Sequence, residues 1–201
     1  GGSASPATGA SPPRPRLLVL AGSGDNGGDA LFAAARLTGG AEVDLLAVSA
    51  RRHEAGLAAA LAAGARAVDL AEAGAGDYDV VLDGILGIGA AADPRLRGAA
   101  REAVEALLPR VRAGRPRVFA VDLPSGLHPD TGDADDAVLP ATTTVTFGAV
   151  KRGLVSGRGP ELAGEIMLVD IGLGIGPGAV GAAPGEAEAA PEGTARVSRI
   201  L

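Results

Sequence analysis

Short apolar runs separated by stretches of helical spacing recur along most of this chain, and that alternation restricts the folds open to it. "RLLVLAG", beginning at Arg16, has no polar interruption over its apolar core, which suits a strand buried on both faces. "DALFAAARLTGG" follows with helical spacing and a Gly pair where a helix C-cap should fall. The pattern then repeats. "EVDLLAVS" reads as a strand, "HEAGLAAALAAGA" as a helix closed by Gly64, and "ARAVDL" and "DVVLDGIL" as further strands. "LRGAAREAVEALLPRV" is the longest amphipathic helix, followed by strands in "RVFAVDLPSG", "TTTVTFG" and "EIMLVDIGL". Alternation of this kind predicts an α/β fold: a Rossmann-like three-layer α/β/α sandwich around a mostly parallel sheet. Ligands of such sheets bind at the carboxyl ends of the strands.

Composition removes several classes of function. Aromatic residues are 2% of the 201, so stacking on nucleic-acid bases is a poor basis for binding. The net charge of −6 opposes both nucleic acid and anionic membrane surfaces. With no cysteine, disulfides and thiolate metal sites are excluded. No apolar run reaches membrane-spanning length and the first residues lack a signal-peptide core, so the expected location is the cytoplasm. Residues 1–15 are small, polar and Pro-rich and are expected to be disordered. Residues 16–173 hold the patterned domain, and residues 174–201 return to a Gly/Ala/Pro/Glu bias that reads as a linker or tail.

Three loops after apolar strands carry unusual polar content. The first, "AGSGDNGGDA" from Ala21, spells G-x-G-x-x-G through Gly22, Gly24 and Gly27 and adds Asp25, Asn26 and Asp29. Asp and Asn also suit a plain turn and helix cap there. A dehydrogenase phosphate loop fits less well. Two carboxylates about 5 Å from a pyrophosphate cost about 3 kcal/mol each at an effective dielectric near 20. A helix N-terminus returns only about 0.3–1 kcal/mol. A cation among the acids would relieve the conflict. Asp44 lies where a ribose-binding acid would be sought, but reads as an ordinary strand residue at a solvated position.

The second loop, "DGILGIG" from Asp83, offers either a simple turn or an anion-binding nest of backbone N–H groups. The third, "VDLPSGLHPDTG" from Val121, places Asp122 and Ser125 at a strand end, with Pro124, Gly126 and Asp130 also capable of building turns. Asn26, Asp83 and Ser125 together offer hard oxygen donors, which suit an alkali or alkaline-earth ion better than zinc. His53, at a helix start, and His128, in a turn, read as surface residues.

These motifs, continued by "TVTFGAVKRGL" and a final "DIGL", resemble in order those of the NAD(P)H-hydrate epimerase family, the YjeF N-terminal domain. The resemblance covers residues 17–173. It implies epimerisation at C6 of hydrated NADH and NADPH (NADHX and NADPHX), with a dehydratase as functional partner or fused domain, and a homodimer. It implies a potassium ion on Asn26, Asp83 and Ser125. It also implies substrate binding by Asp25, Asn26, Gly27, Gly28 and Asp29, by Gly87, Ile88, Gly89, Ala90, Ala91, Ala92 and Asp93, and by Asp122. Asp25 stands where the family usually has Asn, and Ile88 where it usually has Thr.

Epimerisation needs a proton to move at the substrate ring, and a carboxylate within hydrogen-bond reach can move it. Asp122 is the expected acid/base. Lys151 is its expected charge partner, though it also reads as a solvated surface lysine. The alternative is a non-catalytic nucleotide-binding or protein-interaction scaffold of the same fold; the joint presence of Asn26, Asp83, Asp122 and Ser125 argues against it. The family's N-terminal helical segment has no counterpart ahead of the first strand. Marginal stability of the isolated chain is the expectation that follows.

Overall fold

The computed structural model describes residues 13–90, 93–172, 180–181 and 197–200. In chain order they form β1 (Arg16–Ala21), α1 (Asp25–Leu37), β2 (Glu42–Ala47), α2 (Glu54–Ala62), β3 (Arg66–Ala67), α3 (Leu70–Ala75), β4 (Val80–Gly84) and α4 (Gly98–Arg112). Next come β5 (Arg117–Val121), β6 (Thr143–Phe147), β7 (Val150–Lys151), α5 (Arg152–Val155), α6 (Gly159–Leu162), β8 (Glu165–Val169), β9 (Val180–Gly181) and β10 (Val197–Ile200). One sheet runs β10-β8-β6-β5-β4-β1-β2-β3, and its pairings are parallel; β7 and β9 form a small separate pair. The α/β fold expected from the alternation is the fold observed. Of the stretch read as a tail, Val180–Gly181 and Val197–Ile200 are strands, and its other residues lie outside those described.

The apolar runs are continuous because both sheet faces are covered. Along β1, Leu17, Val19 and Ala21 join Leu31, Ala34 and Ala60 beneath α1 and α2. Leu18 and Leu20, pointing the other way, join Ala73, Val104 and Leu107 beneath α3 and α4. Leu18, Val19 and Leu20 have no exposed surface. Burial of such side chains contributes about 1.5–3 kcal/mol each. A third cluster, around Leu123, Leu154 and Ile166, anchors the segments after β5 and β7.

Two local readings differ from what the sequence suggested. The run "ARAVDL" holds a strand of only two residues, because Asp69 and Glu72 form a capping box that starts α3 at Leu70. Asp44 is not solvated. It shares the α3/α4 face with Leu46, is 7% exposed, and its carboxylate accepts hydrogen bonds from Arg66 Nε and Nη2 (3.0 Å each) and Tyr78 Oη (2.8 Å). Arg16 Nη2 approaches the same oxygen at 3.4 Å, and its guanidinium lies 5.1 Å from the centre of the Tyr78 ring. The register sets Arg66 directly beside Asp44, so the strand charge is neutralised by its neighbour. Asp44 also lies three residues short of the end of β2, away from the ligand-binding edge.

Burial first, and then the hydrogen bond to the Asp44 carboxylate, push the Tyr78 hydroxyl up to about 12. The unfolded chain loses this proton near pH 10. Between pH 10 and 12 the folded state therefore binds more protons, and stability should fall as pH rises through that window. Tyr78 is the only tyrosine in the chain, so tyrosinate absorbance reads it directly. In an alkaline titration it should ionise near pH 12 while the fold persists, and Asp44→Asn should bring that midpoint down.

Candidate functional site

The sheet order places β1 between β4 and β2, so the chain leaves β1 toward opposite sides and opens a crevice at the carboxyl ends of these strands. Into that edge α1 packs very closely. A Cβ on Gly22 would lie 1.9 Å from the Ile85 carbonyl oxygen, one on Gly27 2.2 Å from that of Gly22, and one on Gly84 2.4 Å from Ala30 Cβ. Gly24 is different: nothing lies within 4 Å of where its Cβ would be. Two glycines of the G-x-G-x-x-G spelling thus serve close packing, and the middle one faces open space. The helix begins at Asp25, so Asp25 and Asn26 belong to its first turn, where a negative charge is favourable.

Asp83, the fourth residue of β4, has no exposed surface. Its Oδ1 accepts from Ser125 Oγ (2.6 Å) and Ile85 N–H (3.3 Å), and its Oδ2 accepts from Ser125 N–H (2.9 Å). Ser125 Oγ in turn accepts from Leu86 N–H at 2.9 Å. Asn26 Nδ2 donates to the Leu86 carbonyl at 3.0 Å, and its Oδ1 lies 3.3 Å from the Cβ position of Gly87. Asn26, Asp83 and Ser125 are thereby gathered around one backbone turn. Among the described residues no Lys, Arg or His pairs with Asp83. Burial pushes its carboxyl up, against the pull of the hydrogen bonds from Ser125 and Ile85.

Asp122 follows β5 directly and has φ = 69°, the one non-glycine residue with positive φ among those described. Such a conformation costs a bulky residue about 1–3 kcal/mol and concentrates at functional sites. Its N–H is held by the Val145 carbonyl (2.7 Å), which fixes the turn. The Asp122 carboxylate accepts from Thr146 Oγ1 (3.1 Å) and pairs with Lys151 Nζ, which also donates to Thr146 Oγ1 (3.0 Å) and the Phe147 carbonyl (2.9 Å). Lys151 is therefore an inward-facing partner of Asp122 with a side chain 15% exposed, not a solvated lysine. Sequence reading missed Thr146, a fully buried hydroxyl whose strand neighbours gave no sign of it.

Partial burial, then the carboxylates of Asp25 and Asp122, raise the Asp29 carboxyl above its ordinary value; His53 opposes this. Asp25, Asp29 and Asp122 thus share one electrostatic environment across the crevice. Gly87, Ile88 and Gly89 lie on or beside the short helical turn Ile88–Ala90, with Ile88 55% exposed; Ala91 and Ala92 fall outside the described residues. Asp93 is set apart. It is held by Arg95 and Arg97, which keep its carboxyl well below the usual range, and it lines a separate hollow with His128 and Asp133. His53 caps α2 by accepting from Gly56 N–H (3.1 Å), and His128 Nδ1 accepts from Asp130 N–H (3.1 Å) and Thr131 N–H (3.3 Å).

A family model described as the YjeF-related protein N-terminus matches residues 3–153. The chain belongs to this family. It is 64% identical over 160 residues to an NAD(P)H-hydrate epimerase of Microbacterium testaceum, covering 78% of this chain and 62% of that protein. It is 48% identical to one of Clavibacter michiganensis, covering 78% and 73% respectively. A bifunctional NAD(P)H-hydrate repair enzyme of Escherichia coli is 36% identical, the match covering 78% of this chain and 30% of that protein. The crystal structure of the yeast protein ynu0 shares the fold, with a TM-score of 0.60 at 20% identity, over 69% of this chain and 60% of that one. Among the described residues no helix is long and apolar enough to cross a membrane.

The packing of this YjeF-type crevice yields a direct test. Gly27→Ala would drive a methyl against the Gly22 carbonyl, where backbone and not a flexible side chain must yield. A loss of about 1–3 kcal/mol is expected by denaturant titration. Gly24→Ala, with open space around it, should leave stability within about 1 kcal/mol of the parent.

Proposed function

We propose that this chain interconverts the R and S forms of hydrated NADH and NADPH at C6. The observation that carries the proposal is Asp122, held in a left-handed turn at the end of β5 with its carboxylate oriented by Lys151 and Thr146. In the substrate, C6 bears a hydroxyl and is bonded to the ring nitrogen. Taking the hydroxyl proton onto Asp122 lets C6–O become a carbonyl as the C6–N1 bond opens. The released electron pair spreads from N1 through the adjacent C=C bond into the carboxamide. Rotation and reclosure on the other face return the proton and invert C6. Lys151 holds the carboxylate in place between the two proton transfers. A dehydratase acting on the S form, in this or another polypeptide, consumes the product.

Beside the pyrophosphate of that substrate the crevice gathers Asp25, Asp29 and Asp122, with Asp83 buried at the end of β4, and among the described residues Lys151 is the one cation that hydrogen-bonds to any of them. A cation fits this imbalance. The Asn26 amide oxygen, the Asp83 carboxylate, the Ser125 hydroxyl and the Leu86 carbonyl are hard donors around one turn. Mixed neutral and anionic oxygens of this kind suit an alkali ion better than zinc. We assign potassium to Asn26, Asp83 and Ser125; bound there, it supplies positive charge against the pyrophosphate.

Asp122→Asn should keep the turn, since Asn tolerates positive φ, and remove the proton acceptor. Incubated with pure R-NADHX and followed by chromatography, the variant should slow R-to-S conversion at least about 10²-fold while remaining folded at the assay temperature, its melting temperature lowered by the loss of the Lys151 ion pair. Near-parental conversion would exclude Asp122 as the acid/base, and no conversion by the parent chain would exclude the epimerase.

Replacing potassium by tetramethylammonium at constant ionic strength should lower both the melting temperature and the affinity for the substrate. Insensitivity of both measurements would remove the ion from the site.

A further inference from the structure

A second concavity opens at the same sheet edge, on the β2 side of β1 and away from Asp83. It encloses about 410 Å³ between β1, β2, α2 and the start of α3. Its walls are chiefly aliphatic, with Leu31, Leu45, Ala47, Leu57, Val68 and Leu70 contributing. Gly22, at the root of the first loop, lies on the wall and connects the cavity to the amino-terminal turn of α1. Arg52 and His53 complete the rim in the connection after β2.

Position decides what this cavity can receive. A dinucleotide with its reacting ring at Asp122 and its pyrophosphate at α1 must place its second nucleoside beyond β1. From β5 to β2 and β3 is three to four strand spacings, about 14–19 Å, which a dinucleotide can span and a mononucleotide cannot. An apolar slot with a few polar groups at its mouth suits a flat heteroaromatic base. The rim chemistry then discriminates at the ribose. The end of β2 runs Ala47, Val48, Ser49, Ala50, with no carboxylate to accept a ribose 2′-hydroxyl. Asp44 is committed to Arg66 and Tyr78, and Asp69, on the cavity wall, accepts from Glu72 N–H at 2.8 Å to cap α3. Arg52 is exposed and makes no hydrogen bond or ion pair among the described residues. An unspent guanidinium at this edge is suited to a phosphate on the 2′ position.

We infer that the cavity bounded by β1, β2 and α3 holds the adenosine half of the substrate, and that Arg52 recognises its 2′-phosphate, so NADPHX is preferred over NADHX. The cavity assignment rests on the proposed function only for the identity of the dinucleotide.

Calorimetry on the full chain with adenosine 2′,5′-bisphosphate and with 5′-AMP tests it without turnover. The bisphosphate should bind at least about tenfold tighter, and Arg52→Ala should abolish that preference. Arg51→Ala removes the same charge from a neighbour outside the cavity wall and should retain the preference. In parallel, the ratio of kcat/KM for NADPHX over NADHX should drop by a similar factor in Arg52→Ala. Equal binding of the two nucleotides by the parent, binding of neither, or a preference that survives Arg52→Ala would overturn the inference. A preserved nucleotide preference without epimerisation of either hydrate would support the cavity assignment and refute the epimerase reading instead.

Discussion

A carboxylate with no exposed surface, Asp83, stands where the strand ends of β1, β4 and β5 converge. A buried carboxylate is tolerated only when its oxygens are satisfied. Here both the hydroxyl and the N–H of Ser125, from the segment after β5, are drawn to it. That demand ties the loop after β4 to the loop after β5. Ser125 passes the constraint to Leu86, whose carbonyl receives the Asn26 amide from α1. One desolvated group thereby fixes three loops that are far apart in sequence. Asp122, three residues before Ser125, is positioned by the same tie.

The chemical character of the strand ends divides across β1. On the β4/β5 side lie Asp83, Asp122, Ser125 and Lys151, a hydrogen-bonded and charged group. On the β2 side lies an aliphatic slot. The helix α1 separates them with its N-terminus between the two, and the close approach of Gly22 and Gly27 fixes its height over the sheet. The order of chemical character along the edge therefore follows the order of strands.

Much of this was legible in the sequence because the sheet is covered on both faces, which makes its strands continuous apolar runs. The polar loops then stood out against them. Asp44 was misread for the same reason in reverse: an isolated acid in such a run suggests an open face, whereas Arg66 and Tyr78, distant in sequence, neutralise and bury it. The start of α3 was written in Asp69 and Glu72, a capping pair that the apolar stretch before it disguised as strand. Thr146 and the Leu86 carbonyl were not legible at all, since a strand threonine and a backbone oxygen carry no signature until a partner is brought to them.

The left-handed turn at Asp122 has a further consequence for how this family can drift. Few side chains occupy φ = 69° without strain, and asparagine and glycine are the ready alternatives to aspartate. Substitutions to most other residues would be removed by selection on folding alone. The changes that pass that filter are those that erase the carboxylate and spare the architecture. Under the proposed role of Asp122, a lineage released from its chemistry would lose activity here first while keeping the turn and its surroundings intact.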